Sequence, residues 1–210
     1  MLKSGSLLAV VLLSGMVPCH AGTPSWSVAP WLGWASSYQT SAPDEPFASA
    51  LGIAERPDVG IRFRTPALWG RLVRLEAEGA WSAVSTRITA DSPEESSVRT
   101  TADYAQAAVH LLIGNVLIGG SASIPLAERS TATVAGATVP FTRTDVGTTM
   151  RIVADVRVGV DIGLMDTQYG DLSMRVMLRH TLTDRYIQRT LPSVAAATVR
   201  LDLAWHIPLP

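Results

Sequence analysis

The sequence predicts an all-β fold, an eight-stranded antiparallel up-and-down barrel, and three observations carry that prediction. The first is a period of two. In "MRIVADVRVGVDIGL", residues 150–164, every even position is apolar, while the odd positions hold Arg151, Asp155, Arg157, Asp161, two glycines and Val153. A helix would spread those apolar residues around its circumference, so the pattern reads as a strand with one apolar face. The second is repetition, because the same alternation returns eight times, divided by connections that alternate between long and short. The third is that no continuous apolar run after residue 21 is long enough for a membrane helix. A chain that is 47% hydrophobic must then place its apolar residues by alternation or in a soluble core.

Taken in order, residues 1–21, "MLKSGSLLAVVLLSGMVPCHA", place Lys3 ahead of an apolar run over residues 7–13 and end on small residues. That is the pattern of a secretory signal, and the run is too short to span a bilayer. The expected organisation is a cleaved signal over 1–21 and a single barrel domain over 22–210. Cys19 is the only cysteine and Lys3 the only lysine. The exported chain is therefore expected to have no disulfide and to use arginine for every strongly basic side chain. A formal net charge of -1 gives no electrostatic case for nucleic acid.

The first strand is expected over residues 25–37, with Trp26, Val28, Pro30, Leu32 and Trp34 on one face and Ser27, Ala29, Gly33 and Ala35 on the other. The proline-rich "QTSAPDEPFAS" reads as a loop. The second strand, 57–64, sets Val59, Ile61 and Phe63 against Gly60, Arg62 and Arg64, and "TPALWG" turns the chain. The third, 71–85, sets Val73, Leu75, Ala77 and Trp81 against Arg74, Glu76 and Glu78; "TADSPEES" after it reads as a solvated loop without the spacing of a calcium site. The fourth, 98–112, opposes Ala105, Ala107, Val109 and Leu111 to Tyr104, Gln106 and His110, and Gly114-Asn115 signals a hairpin. The fifth runs over 116–126, and a Thr/Ala-rich stretch to Asp145 reads as a connection to the sixth, 150–164. The seventh, 171–183, opposes Leu172, Met174, Val176 and Leu178 to Ser173, Arg175, Met177 and Arg179. The last opposes Val199, Leu201, Leu203, Trp205 and Ile207 to Arg200, Asp202 and His206.

Two barrels fit this pattern. A lipocalin-like soluble barrel turns its apolar face inward, whereas an outer-membrane barrel turns it toward lipid and fills its interior with polar residues. Strand length favours the second, since spanning takes ~9–11 tilted residues and most segments reach that. The polar face mixes Gly, Ser and Ala with Arg, Asp and Glu, which suits a narrow interior better than a solvated surface. The aromatics form two belts, with Trp26, Phe63, Trp69 and Trp205 toward one end and Trp34 and Trp81 toward the other. The expected fold is thus a transmembrane β-barrel.

On this evidence of signal, eight alternating segments, short turns and longer loops, the chain resembles the small eight-stranded bacterial outer-membrane barrel proteins, the class of the OmpA membrane domain and the OmpX-like proteins. The resemblance is architectural, covers residues 22–210 and rests on no family-specific motif. It implies a monomer in the outer membrane of a Gram-negative bacterium. Its implied partners are outer-membrane lipid, lipopolysaccharide and the outer-membrane assembly machinery. Such barrels usually finish on an aromatic residue that the machinery reads; this chain finishes "AWHIPLP", so either the signal is degenerate or Trp205 substitutes for it ahead of Pro210.

The interior decides the mechanism. Arg62, Arg64, Arg74, Arg157, Arg175, Arg179 and Arg200 share the inward face with Glu76, Glu78, Asp155, Asp161 and Asp202. Eight strands leave just enough width for side chains to fill, and a buried unpaired charge costs several kcal/mol. These groups are expected to form a lumen ion-pair network; the same residues would line a narrow path for water or small anions. Arg87, Arg99, Arg143, Arg185 and Arg189 fall toward the loop ends of strands. Guanidinium groups match phosphate geometry there, so they are expected lipopolysaccharide contacts.

Catalytic readings find little support. Lipid A deacylase barrels use a His-x-Ser pair facing lipid, and here His180-Thr181-Leu182 lacks the serine. The N-terminal amphipathic helix of palmitoyl-transferring barrels is missing. His110 and His206 fall on the inner face of different strands without metal-ligand spacing. No phosphate-binding loop or nucleophile elbow is present. The expectation is a non-enzymatic barrel without cofactor or metal, serving membrane integrity or surface contact. The alternatives are a narrow pore, a lipid A-modifying enzyme and a soluble periplasmic lipocalin-like binding barrel.

Overall fold

A computed structural model describes residues 25–39, 47–68, 72–90, 97–134, 137–141, 151–183 and 196–210. Its strands are β1 (Ser27–Gln39), β2 (Phe47–Ile53), β3 (Asp58–Arg64), β4 (Val73–Ala90), β5 (Ser97–Ile113), β6 (Val116–Val134), β7 (Ala137–Phe141), β8 (Val153–Thr167), β9 (Gly170–Thr181) and β10 (Ala196–Pro208). All pairings are antiparallel, and β10 closes on β1 from Ser27 opposite Pro208 to Gln39 opposite Ala196. β2 and β3 both lie between β1 and β4, as the two halves of one interrupted strand. β7 and β8 both lie on the side of β6 away from β5. The ten strands therefore fill eight positions of a closed barrel. Among the described residues no helix is long and apolar enough to cross a membrane.

Short turns gather at one end. Gly114 takes φ 60° in the β5–β6 turn, a conformation that suits glycine in a two-residue hairpin. The β8–β9 turn is braced by Thr167, whose hydroxyl accepts from the Tyr169 N–H at 3.2 Å and donates to the Gly170 carbonyl at 2.8 Å. The first and last strands also begin and end here, where Trp26 accepts from the Leu209 N–H at 2.7 Å. The expected signal over 1–21 and the "TADSPEES" loop lie outside the described residues, the loop but for its first two.

Two expectations are corrected. The stretch "QTSAPDEPFAS" is not all loop, because β2 begins at Phe47 and pairs with both β1 and β4. The Thr/Ala-rich connection is largely strand: β6 continues to Val134 and pairs with β7. Between β5 and β6 the register shifts, with Asp103 opposite Ala127 but Tyr104 opposite Pro125, so Leu126 is an extra residue. Proline has no N–H for the ladder and is tolerated at such a bulge. The shift reverses the facing of β6, from Ser121 and Ser123 inward below it to Glu128 and Ser130 inward above it.

Alternation separates two surfaces. Outward lie Leu32, Trp34, Ile61, Phe63, Val109, Ile118, Ile124, Val158, Val176, Leu178, Leu201 and Leu203, all exposed. Inward lie the buried charges, with a few apolar residues among them: Ala29, Trp31 and Ala204 in one group, Leu112, Leu117 and Met177 in another. Gly159 faces the second group. A Cβ there would stand 2.6 Å from the Val176 carbonyl oxygen and 3.1 Å from the Met177 Cα. Both neighbours are backbone, so Gly159→Ala is expected to force β8 and β9 apart and cost about 1–3 kcal/mol, read as a lowered urea midpoint.

Candidate functional site

Two glutamates of β4 organise the lumen. Their spacing of two residues turns both inward, and the ladder sets Glu76 opposite Arg64 and Glu78 opposite Arg62 on the neighbouring β3. Glu76 accepts from Arg64 at 2.9 Å and lies 3.7 Å from Arg62. From across the barrel Arg175 of β9 donates to it at 2.6 and 2.9 Å, a two-pronged contact. His110 of β5 donates to the same carboxylate from Nδ1 at 3.1 Å. Glu78 accepts from Arg62 at 2.8 Å and from Arg157 of β8 and Arg200 of β10, both at 3.0 Å. Two acidic side chains thus hold guanidinium groups from β3, β8, β9 and β10.

The remaining carboxylates complete the lattice. Asp202 pairs with Arg62 at 2.8 Å and Arg200 at 3.1 Å. Asp161 pairs with Arg64 and with Arg175, the latter at 2.9 Å. Asp155 pairs with Arg157 at 3.0 Å and Arg179 at 3.5 Å. Arg62, Arg175, Glu76 and Asp202 are each at most 1% exposed. Charges this deep are stable only when paired and hydrogen-bonded. Each of the four takes an ion-pair contact of 2.6 or 2.8 Å, while among the described residues Arg62 Nη1 and Nη2, Arg175 Nε and Asp202 Oδ1 have no hydrogen-bond partner.

Three inward residues play parts that sequence alone did not assign. Trp31 is buried, with Arg62 and Arg200 at 4.7 and 4.1 Å from its ring centroid. It supplies an electron-rich face to two cations that otherwise repel each other. Its odd position on β1 was the available signal, since that face otherwise carries small residues. Asp58, at the start of β3, accepts from the Ser82 hydroxyl at 3.0 Å and the Ala83 N–H at 2.8 Å. Gln106 donates to Ser123 at 2.8 Å.

Arg74 departs from the expected network. It is half-buried, and no carboxylate among the described residues lies within 4 Å of it. It lines instead a cavity of about 440 Å3 at the short-turn end, together with Arg64, Asp161, Ser173 and His206. The reason is height: Arg74 lies two residues below Glu76, past the last carboxylate of β4. His206 is 3.0 Å from the Ser173 hydroxyl through Nε2.

Glu76, Glu78 and His110 bring ligand-type atoms within 4.8 Å of one another. Their carboxylates already hold five guanidinium groups, so a metal ion would have to displace contacts among cations that repel it.

Among the expected aromatic belts, Trp26 and Phe63 are exposed at the short-turn end and Trp205 is half-buried there. Trp34 is exposed further along, and Trp81 is half-buried with the Arg56 guanidinium 5.3 Å from its ring centroid. Arg87 and Arg99 lie within β4 and β5 and stand opposite each other. Trp69, Arg143, Arg185 and Arg189 lie outside the described residues. His180 and Leu182 are both exposed.

No family model and no curated protein matches this chain. Among solved structures it is similar to Ail, the attachment invasion locus protein of Yersinia pestis, at 10% identity over 87% of this chain and 99% of that one, with a TM-score of 0.38. It is similar to Neisserial surface protein A at 10% identity, over 88% and 97% of the two chains, with a TM-score of 0.37. The translocator domain of the autotransporter NalP from Neisseria meningitidis follows at 9% identity, over 96% and 94%, with a TM-score of 0.36. The strand pairings of this chain carry its own description: an all-β, antiparallel barrel of eight strand positions, closed between β1 and β10.

Proposed function

We propose that the protein is a non-enzymatic integral outer-membrane β-barrel. Its lumen is sealed by ion pairs, and its outer wall and external loops serve membrane integrity or contact at the cell surface. The observation that carries the reading is the inside-out distribution of side chains. Arginines and carboxylates are buried in the interior, while leucine, isoleucine, valine and tryptophan cover the exterior. A water-soluble barrel inverts that arrangement. An exterior apolar surface this continuous exceeds what soluble monomers expose, and it matches a wall facing hydrocarbon. The long connections then face outward from the cell, and lipopolysaccharide is the expected neighbour of the wall.

The test is membrane fractionation combined with gel mobility before and after boiling. The expected result is recovery in the outer membrane and a band whose migration changes on heating. Recovery in the soluble periplasmic fraction overturns the reading in favour of a soluble barrel.

The sealed lumen disfavours a pore. Arg62, Arg157, Arg175, Glu76 and Trp31 lie in the path that water would take, and none is more than 4% exposed. Purified protein in planar bilayers is therefore expected to show no steady conductance. A regular, anion-selective conductance would instead assign the lumen arginines to a transport path.

A further inference from the structure

The outer wall of β4, β5 and β6 carries a group of charges that the lumen does not use. Residues directly opposite in a ladder share a face. Trp81 stands opposite Val59 and Ala105, both exposed, which puts the odd positions of β4 and β5 outside. Going up the same unbroken ladder, Ala83 faces Asp103, Ser85 faces Thr101 and Arg87 faces Arg99. Arg129 of β6 stands opposite Thr101 and joins them. Residues 54–57, between β2 and β3, lie across this wall. From them Arg56 packs over Trp81 and reaches Asp103 at 3.4 Å. Arg99 pairs with Glu55 at 3.1 Å, donates to the Ile53 carbonyl, and donates to the Ser85 hydroxyl at 3.1 Å.

Among the described residues the result is four arginines against two carboxylates on an outward face. Asp103 and Glu55 fix Arg56 and Arg99 in place without neutralising the group. Arg129 approaches Asp103 at 3.6 Å with its side chain 62% exposed, and Arg87 is exposed with one contact to Ser97 at 3.4 Å. The patch begins just above Trp81 and ends at Arg87. Those six residues correspond to ~20 Å along a strand, or ~14 Å of height at the tilt of such barrels. Headgroups stand at that level when Trp81 marks the edge of the hydrocarbon. Among the described residues, the outward row Tyr38, Ala197 and His180 toward the same end carries no arginine.

We propose that this patch binds the phosphate of an anionic lipid headgroup in the outer leaflet. Arg87 and Arg129 are its direct ligands, and Arg56 and Arg99 are flanking donors oriented by Asp103 and Glu55. The inference rests on the membrane placement proposed above and adds the site and its chemistry. Arginine suits it because the planar guanidinium grips two phosphate oxygens at once, and donors already held in place lose less freedom on binding.

The test uses the full chain folded in a neutral, phosphate-free maltoside detergent. It is titrated with lipid A, with lipid A stripped of both phosphates, and with inorganic phosphate. Lipid A is expected to raise the melting temperature, and the other two to leave it unchanged. Arg87→Ser with Arg129→Ser is expected to weaken lipid A binding about 30-fold, from ~1 kcal/mol for each arginine near a charged surface. The Arg→Lys pair should fall between, keeping charge and losing the fork. Equal lipid A binding by wild type and the serine variant overturns the site, as does equal stabilisation by stripped lipid A. Equal stabilisation by inorganic phosphate overturns the lipid as its source. Heat-modifiability is scored in the same samples. A chain that folds into micelles but ignores the phosphates refutes this site alone, whereas one that never enters micelles refutes the membrane placement and the site with it.

Discussion

Replacing Glu76 by alanine is expected to destabilise the barrel by about 3–5 kcal/mol, the cost of breaking a buried ion pair by removing one partner. Glu76 is the strongest candidate for an effect of that size because Arg64, Arg175 and His110 all donate to it. Arg64 and Arg175 keep Asp161, and Arg62 keeps Glu78 and Asp202, so the variant holds more positive charge than its remaining carboxylates can offset. Glu76→Leu with Arg175→Met should recover a large part of the loss, since both charges leave together and apolar groups fill the space. The measurement is the urea midpoint in detergent micelles, followed by tryptophan fluorescence. A change below ~1 kcal/mol for Glu76→Ala would mean that the arginines are solvated through a water-filled lumen, and the sealed interior would be wrong.

Alternation in the sequence specifies facing, and facing alone brought Arg62, Glu76, Glu78, Arg157, Arg175 and Asp202 together in one interior. It does not specify height. Arg74 shares the face of Glu76 yet sits below the network, because the number of residues to the nearest turn sets depth and the turn was placed only approximately. Nor does alternation survive a bulge. The extra residue at Leu126 reverses β6, so Glu128 and Ser130 enter the lumen from positions that the lower half of the strand assigns to the exterior. Pro125 was the visible signal. β2 was harder to see: Ala48, Ala50 and Gly52 contrast weakly with Phe47, Ser49 and Leu51, so its pairing partners, not its own pattern, make it a strand. The same break between β2 and β3 delivers Arg56 to the outer wall, a position no periodicity foretells. Trp31 illustrates the opposite error, in which a large aromatic on a face of small residues passes for an exception until the arginines beside it are located.

Arginine in place of Val158 is expected to cost ~2–4 kcal/mol near the middle of the bilayer, and much less in water. Val158 lies between Ile118 on β6 and Leu178 on β9, and the three are 46–54% exposed, forming an outward apolar row. In a lipid bilayer that exposure is contact with acyl chains, and the new guanidinium would have to snorkel to the interface or draw water and headgroups inward. In a soluble barrel the same side chain would extend into solvent at almost no cost. Depth supplies the internal control: Ala197→Arg, on the outward row between Tyr38 and His180 toward the opposite end of the strands from the short turns, should be tolerated to within ~1 kcal/mol because it adds charge near the headgroups, where the penalty for arginine falls to ~0–1 kcal/mol. Both variants are compared with wild type by reversible urea unfolding in phosphatidylcholine vesicles. A penalty at 158 that disappears at 197 follows the hydrocarbon profile and establishes which face meets lipid. Equal, small effects at both positions would place the apolar wall in water and return the chain to the soluble class.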